Sequence, residues 1–140
     1  MLSCVLDTRV MVAALRSSAG ASRQLLLLAL HHPFVLRLSV PLILEYEAVL
    51  TRPLQLAAMR LSSADVRDVL AALAVVAEPV LIHFLWRPVL ADADDEHVLD
   101  LAMNGRADLL VTFNQDDFVE ASKTFKIEVV TPGAALRRLR

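Results

Sequence analysis

At 140 residues, the chain has the length of one domain, large enough to bury a core without disulfide bonds or structural metal. Its 56% hydrophobic content is mostly aliphatic residues and alanine, which suits parallel strands covered on both faces by helices. The single cysteine, Cys4, excludes an internal disulfide bond and a cysteine-based zinc site, and the net charge of −2 means that any RNA-binding basic patch must be local.

The apolar runs of the chain are too short to cross a membrane. The longest, residues 69–77, is far below the roughly 18 residues that a membrane helix needs. The amino-terminal residues lack the charged start and long apolar stretch of a signal peptide. We therefore expect a cytoplasmic protein without a membrane partner. Cys4 lies in the first apolar run and is expected to be a buried core residue.

Strand-like and helix-like segments alternate along the chain. In chain order, the first half is predicted to contain a strand over residues 1–6, a helix over 8–16 capped by Thr8, a helix over 22–30, a strand over 34–38, and helices over 42–51, 54–60 and 62–77. The second half is predicted to contain a strand over residues 79–84, a helix over 92–105, a strand over 108–113, a short helix over 117–124, a strand over 127–130 and a terminal helix from Pro132.

This alternation predicts an α/β fold, a three-layer α/β/α sandwich around a central parallel sheet of about five strands. No repeat, low-complexity tract or interdomain linker interrupts the pattern, so residues 1–140 are expected to form a single domain. In such open sheets, ligands bind outside the carboxyl ends of the strands, where the strand order reverses. A functional site is therefore expected at that edge.

Four carboxylates are placed to meet at that edge. Asp7 ends the first strand, Asp117 follows the fourth, Glu45 lies on a helix, and Asp95 lies in the first turn of another. Gathered like charges repel each other unless their pKa values rise or a cation lies among them. Oxygen ligands without cysteine favour Mg²⁺ or Mn²⁺, which can activate a water and neutralise a scissile phosphodiester. This chemistry predicts a nuclease.

Local pattern leaves other interpretations of these acids open. Asp7 could cap a helix, and Asn114 could be a turn former rather than a ligand. Asp95 aligns at i+4 with Leu99 and at i+7 with Ala102, which places it at the buried edge of its helix. Neighbouring acids compete with two of the four, Glu47 with Glu45 and Asp116 with Asp117, whereas Asp92 or Asp94 could be helix caps.

Four stretches of the chain share their pattern and order with one family. They are VLDTRV at residues 5–10, LEYEAVLTRP at 44–53, DADDEHVL at 92–99 and LVTFNQDDF at 110–118. On these motifs the sequence resembles a PIN domain, the ribonuclease fold of VapC-type toxins, and specifically the branch assigned as toxin components of toxin–antitoxin systems. The four motifs together span nearly the whole chain.

This resemblance implies a PIN-like, 5′-nuclease-like fold and a set of site residues. The implied metal-binding and catalytic acids are Asp7, Glu45, Asp95 and Asp117, and the residues that border the site are Thr8, Arg9, Thr112 and Asn114. The resemblance also implies one or two Mg²⁺ or Mn²⁺ ions and a single-stranded RNA substrate, cut to leave a 3′-hydroxyl and a 5′-phosphate. Homodimers and inhibition by a small antitoxin protein are frequent in the family.

Position 9 departs from the family pattern, which usually has Asn two residues after the first Asp. A guanidinium there could pair with a carboxylate and compete with metal, or it could hold a substrate phosphate. Two hypotheses therefore stand. One is a metal-dependent endoribonuclease, and the other is a PIN scaffold that binds RNA or a protein partner without cutting, with Arg9 filling the cation site.

The sequence disfavours two other classes of α/β protein and assigns one apolar segment to the core. A phosphorylated receiver domain is disfavoured because no acidic pair ends the first strand and no lysine follows the last one. An aspartate-based phosphatase is disfavoured because position 9 is not Asp. Apolar residues between 54 and 73 exceed one helical face, and core packing is preferred there over a partner surface.

Overall fold

A computed structural model describes residues 1–31, 33–85 and 95–139 of the chain. In these residues, five strands form one parallel sheet: β1 (Ser3–Leu6), β2 (Val35–Leu38), β3 (Glu78–Pro79), β4 (Leu109–Val111) and β5 (Glu128–Val130). Their order across the sheet is β3-β2-β1-β4-β5. The predicted α/β fold with a parallel sheet of about five strands is confirmed.

Eight helices accompany the sheet in the same described residues. They are α1 (Thr8–Arg16), α2 (Ala21–Leu30), α3 (Val40–Leu50), α4 (Pro53–Met59), α5 (Ser63–Val76), α6 (Glu96–Asn104), α7 (Val119–Phe125) and α8 (Pro132–Leu139). A 3₁₀ turn over Gln115–Phe118 precedes α7. None of the helices in the described residues is long and apolar enough to cross a membrane.

Side-chain caps start two of the helices, α3 and α5. The hydroxyl of Ser39 accepts a hydrogen bond from the N–H of Leu42 at 3.2 Å and so starts α3. Ser62 and Asp65 form a reciprocal capping box at the start of α5. This bonding lowers the pKa of the exposed Asp65 carboxyl.

The strand order reverses between β1 and β4. The chain moves outward from β1 through β2 to β3 and then returns to the other side of β1 for β4 and β5. Because crossovers between parallel strands are right-handed, the helices before and after this reversal cover opposite faces of the sheet. Leu6 is in register with Val111, so residues 7 and 112 leave the sheet side by side at the reversal point.

The two central strands are buried along their length. Cys4, Val5 and Leu6 of β1 are at most 1% exposed, and the residues of β4 are fully buried. The Cys4 thiol is part of this core, as predicted. Burial, and secondarily the Asp108 carboxylate, raises its pKa to about 12, so the thiol is protonated and unreactive at neutral pH.

The predicted strand over residues 79–84 is wrong in extent, because β3 stops at Pro79. Its partner β2 ends at Leu38, where the chain turns into α3, and the last ladder bond runs from the Val80 N–H to the Leu38 carbonyl at 2.8 Å. The N–H groups of His83 and Phe84 donate instead to the side-chain oxygen of Asn104, at 2.9 and 3.4 Å. Among the described residues, the apolar residues that follow Val80 therefore have no strand with which to pair.

The start of the helix predicted over 92–105 lies outside the described residues, and α6 begins at Glu96. The apolar residues between 54 and 73 mostly enter the core. Met59, Val66, Leu70 and Leu73 are at most 8% exposed, whereas Leu54 is 86% exposed. The preference for core packing is confirmed for those four residues.

Candidate active site

Asp7 is the residue at which β1 ends and α1 begins. Its N–H donates to the Val111 carbonyl at 2.9 Å, which continues the pairing of β1 with β4 by one residue. Its side-chain Oδ2 accepts a hydrogen bond from the hydroxyl of Thr112 at 2.7 Å. Burial raises the pKa of the Asp7 carboxyl, and the Thr112 bond and the Arg9 charge lower it in part. The sheet thus holds a buried carboxylate in one orientation.

The guanidinium of Arg9 lies among three of the four predicted acids. Its Nη1 is 4.0 Å from Oδ2 of Asp7, 3.6 Å from Oδ1 of Asp95 and 3.9 Å from Oδ2 of Asp117. The Asp7 and Asp95 side chains are buried, while those of Arg9 and Asp117 are close to half exposed. Carboxylates from three parts of the chain therefore surround one cationic nitrogen, and Arg9 lies at the centre rather than at the border.

Glu45, the fourth acid, is held by different partners. One carboxylate oxygen accepts a hydrogen bond from the hydroxyl of Thr8, and the other is 3.4 Å from Nδ1 of His97. The prediction that Thr8 caps α1 is therefore wrong. Asp7 occupies the N-cap position without a side-chain capping bond, because Thr8 is the first helical residue and its hydroxyl is directed across the site to Glu45.

A cleft of about 720 Å³ connects the two groups of acids. Asp7, Glu45 and Asp95 line it, together with Thr8, Arg9 and His97. Asp117 is not among the lining residues and meets the cleft through Arg9. The fold thus gathers Asp7, Asp95 and Asp117 around Arg9 and places Glu45 on a neighbouring wall of the same cleft.

The structure also places the acids that compete with these four in the sequence. Glu47 faces away from the cleft, with a carboxylate oxygen 3.8 Å from Nε of Arg67. Asp116 is exposed on the 3₁₀ turn, and Asp92 and Asp94 lie outside the described residues. Asn114 supports the site through its backbone, since its N–H donates to the Thr112 hydroxyl at 3.0 Å and its carbonyl accepts from the Asp117 N–H at 3.1 Å.

Three further residues of the cleft were not predicted from the sequence. His97 contacts Glu45, and Arg52 and Gln55 line the cleft at the junction of α3 and α4. Arg52 lies seven positions after Glu45 but beyond the end of α3, so helical spacing could not have placed it in the cleft. His97 carries a weak signal, its position two residues after Asp95.

The donor chemistry of the site suits a divalent cation, although the carboxylates as placed surround a guanidinium. All four acids offer hard oxygen ligands of the kind that Mg²⁺ and Mn²⁺ prefer. Across residues 1–31, 33–85 and 95–139, no three Asp, Glu, His or Cys side chains lie close enough together to hold a metal. Metal binding at the position of the guanidinium therefore requires Arg9 to move aside.

Comparison with known families identifies the chain. A family model described as a PIN domain matches residues 3–116. The chain belongs to the PIN domain family. The match includes Asp7, Glu45 and Asp95 and ends one residue before Asp117. A search of curated proteins finds no match.

Membership of the PIN domain family indicates a nuclease-type function, and therefore a hydrolase. PIN domain nucleases generally use divalent metal ions. The oxygen-only donor set of the cleft is compatible with that general property. The expectation of a nuclease, drawn from the four acids, is thus confirmed at this level.

Proposed function

We propose that this PIN domain is a Mg²⁺- or Mn²⁺-dependent endoribonuclease that cleaves single-stranded RNA, and that it is the toxin of a toxin–antitoxin pair. One observation carries the proposal. Asp7, Asp95 and Asp117 converge within 4.0 Å of a single cationic nitrogen, at the sheet edge where ligands bind in open α/β folds. Three carboxylates around one cationic nitrogen support a cation site at this position.

Asp7, Glu45, Asp95 and Asp117 are the residues that would hold the metal. When bound, the metal would neutralise charge on the scissile phosphodiester and lower the pKa of a water molecule. The chain supplies the positioning. The Thr112 hydroxyl orients Asp7, the Thr8 hydroxyl orients Glu45, and the backbone of Asn114 holds Asp117 and Thr112 together. Hydrogen bonds of this kind commonly tune affinity or activity by about 10–100-fold.

The second candidate function is a PIN scaffold that binds RNA or a protein without cutting, and the three ion pairs of Arg9 favour it. The Arg9 side chain is 45% exposed, whereas the Asp7 and Asp95 side chains that it pairs with are 4% and 3% exposed. Only its pair with Asp117 joins two half-exposed groups, the kind of ion pair that is worth about 0–1 kcal/mol. Because the guanidinium has access to solvent, it can leave the carboxylates when a metal ion binds, and we prefer the nuclease.

The test is cleavage of a short fluorogenic single-stranded RNA by the purified chain with Mn²⁺, with Mg²⁺ and with EDTA. We expect cleavage with either metal and none with EDTA. Glu45→Gln should lose cleavage, whereas Glu47→Gln, a matched change on the solvent side of the same helix, should keep it. A matched single-stranded DNA tests the preference for RNA.

Two results would overturn this proposal. Cleavage that persists in EDTA would exclude the metal-dependent mechanism. A folded wild-type chain that cuts no RNA, combined with cleavage by Arg9→Asn, would establish the non-cutting scaffold instead. Equal loss of activity in Glu45→Gln and Glu47→Gln would remove Glu45 from the site.

The proposed toxin role and homodimer rest on the family resemblance, and the proposed cytoplasmic location rests on the short apolar runs and the amino-terminal residues of the sequence. Induced expression of the chain should arrest growth of a bacterial host, and Asp95→Asn should relieve the arrest. Light scattering of the purified chain should give the mass of a dimer. A monomer, or arrest that persists in Asp95→Asn, would contradict the corresponding part of the proposal.

A further inference from the structure

The cleft extends beyond the acids along one face of α3 as far as the residue that starts α4. Glu45, Ala48 and Val49 follow at i, i+3 and i+4 on α3, and Arg52, the extended N-cap of α4, lines the same cleft. The helical rise from Glu45 to Leu50, the last residue of α3, is roughly 7.5 Å, and Arg52 follows two residues later. The cleft is therefore acidic at one end and carries a cation at the other.

Arg52 has an exposed side chain with no ion pair to any described residue. Its recorded contacts are made by the backbone, since its N–H donates to the Val49 carbonyl and its carbonyl accepts from the Leu56 N–H. An anion that binds at Arg52 therefore meets an exposed guanidinium that no described carboxylate neutralises.

Gln55 lies beside Arg52 on the wall of the cleft. Its side-chain Oε1 is buried and accepts no hydrogen bond from any described residue. An unsatisfied buried acceptor costs about 1–3 kcal/mol. A primary amide offers both a donor and an acceptor, and a rotation about its last side-chain bond presents either one to the cleft.

Part of the wall of the cleft is apolar. Ala48 and Val49 lie between Glu45 and Arg52 in the chain, Val12 and Leu44 line the cleft as well, and Leu44 is 59% exposed. A flat apolar ligand surface would cover this wall. A nucleotide offers the matching set of groups, namely an anionic phosphate, a flat base and a base edge with donors and acceptors.

From this arrangement we propose that the cleft beyond Glu45 is a nucleotide subsite, in which Arg52 binds the phosphate next to the scissile one and Gln55 reads the edge of the base. The base packs on the apolar wall of α3. This inference rests on the proposed ribonuclease function and specifies where its sequence preference arises. Arg52 supplies affinity and Gln55 supplies selectivity.

The test is binding of fluorescein-labelled single-stranded RNA hexamers by the full chain in EDTA, measured by anisotropy at several salt concentrations. Each hexamer pool has one fixed base at one position. Arg52→Gln should weaken binding of all pools about three- to tenfold and reduce the slope of log affinity against log salt by about 0.7. Arg16→Gln, an exposed arginine outside the cleft, should change neither affinity nor slope.

Gln55→Met keeps the side-chain length and removes the amide. We expect it to leave the salt slope unchanged and to reduce the affinity ratio between the best and worst fixed base about fivefold, a modest share of what a base contact provides. Thermal stability should stay the same or rise, because the unsatisfied oxygen is lost. Lower stability with unchanged base preference would make Gln55 a structural residue and overturn its assigned role.

The outcomes separate this inference from the proposed nuclease activity. Binding that depends on Arg52 and Gln55, without cleavage in Mn²⁺, would retain the subsite and remove the nuclease. Metal-dependent cleavage with wild-type affinity and cleavage-position preference in both variants would retain the nuclease and overturn the subsite. Absence of both RNA binding and cleavage in the wild-type chain would overturn both.

Discussion

Strands β1 and β4 are joined at both ends by a hydroxyl residue and an aspartate, but the two pairs have different surroundings. At the amino ends, the N–H and hydroxyl of Ser3 donate to Oδ2 of Asp108 at 2.8 and 3.2 Å, and the Asp108 N–H donates to the Ser3 hydroxyl at 3.0 Å. At the carboxyl ends, the hydroxyl of Thr112 donates to Oδ2 of Asp7 at 2.7 Å.

The carboxylate of the first pair is on an exposed residue, whereas that of the second is buried beside two further aspartates and Arg9. The Ser3–Asp108 pair therefore satisfies its own hydrogen bonds and joins β1 to β4 at their amino ends. The Asp7–Thr112 pair presents a carboxylate to a cleft. A hydroxyl–aspartate pair thus stabilises the fold at the amino ends and forms part of a charged site at the carboxyl ends. The reason for the difference is that the reversal of strand order opens a crevice only at the carboxyl ends.

The largest expected difference between the two pairs is in catalysis. Asp7→Asn should reduce metal-dependent RNA cleavage by more than about 100-fold, because loss of a direct ligand should exceed the 10–100-fold effect of its supporting partners. Asp108→Asn should stay within about twofold of the wild-type rate. Initial rates with Mn²⁺ measure both, and a comparable loss in Asp108→Asn would show that the two ends are not functionally distinct.

Substitutions of the two aspartates should change the free energy of unfolding in opposite directions. Asp108→Ala should lower the free energy of unfolding by about 2 kcal/mol, since the buried Ser3 loses the acceptor for its N–H and hydroxyl. Asp7→Asn should raise the free energy of unfolding, because it removes one of three crowded negative charges. Urea denaturation in EDTA measures both. A destabilised Asp7→Asn would indicate that Asp7 serves the fold as Asp108 does.

Replacement of Arg9 should strengthen metal binding at the carboxyl ends of the strands. Arg9→Asn should tighten Mn²⁺ binding by about tenfold, corresponding to about 1.4 kcal/mol of lost competition. Isothermal titration calorimetry of the wild type and of this variant gives the affinities directly. Arg16→Asn, on an exposed arginine at the end of α1, is the control. Unchanged Mn²⁺ affinity in Arg9→Asn would mean that Arg9 and the metal do not compete.

The smallest expected effect is a dependence of stability on pH. Folding raises the pKa of Asp7 above its ordinary value, so its contribution to stability is fully present below that ordinary value and lost as pH rises through the raised pKa. The stability gain of Asp7→Asn over the wild type should therefore grow from about pH 4 to about pH 7, reaching about 1 kcal/mol or less. Thermal melts in EDTA measure this gain.

Asp65 provides a control of opposite sign for this pH dependence. Hydrogen bonds from Ser62 lower the pKa of Asp65, so its stabilising contribution is present above its unfolded pKa and lost as pH falls through the lowered value. The stability deficit of Asp65→Asn should therefore shrink at low pH. A gain for Asp7→Asn that stays flat with pH would show that burial of its charge is not the cause.

Most of the fold could be predicted from local sequence because its elements carry local signals. Ser62 and Asp65 form the capping box that their spacing predicts, and the apolar strands at residues 3–6 and 109–111 are buried as expected. The extent of β3 could not be predicted, since Val80, Leu81 and Ile82 have strand-like side chains. Their backbone conformation depends on where β2 ends, which is a distant part of the chain.

The sequence by itself determined the α/β architecture and identified the candidate acids of the site, because side-chain periodicity and strand ends are local properties. Tertiary structure alone placed Glu45 in the cleft and Glu47 outside it, directed Thr8 to Glu45, and set Arg9 among three aspartates. Apart from the contact of Arg9 with Asp7, these contacts join residues far apart in the chain. Their formation depends on how the helices pack around the reversal of strand order, and no local pattern encodes that packing.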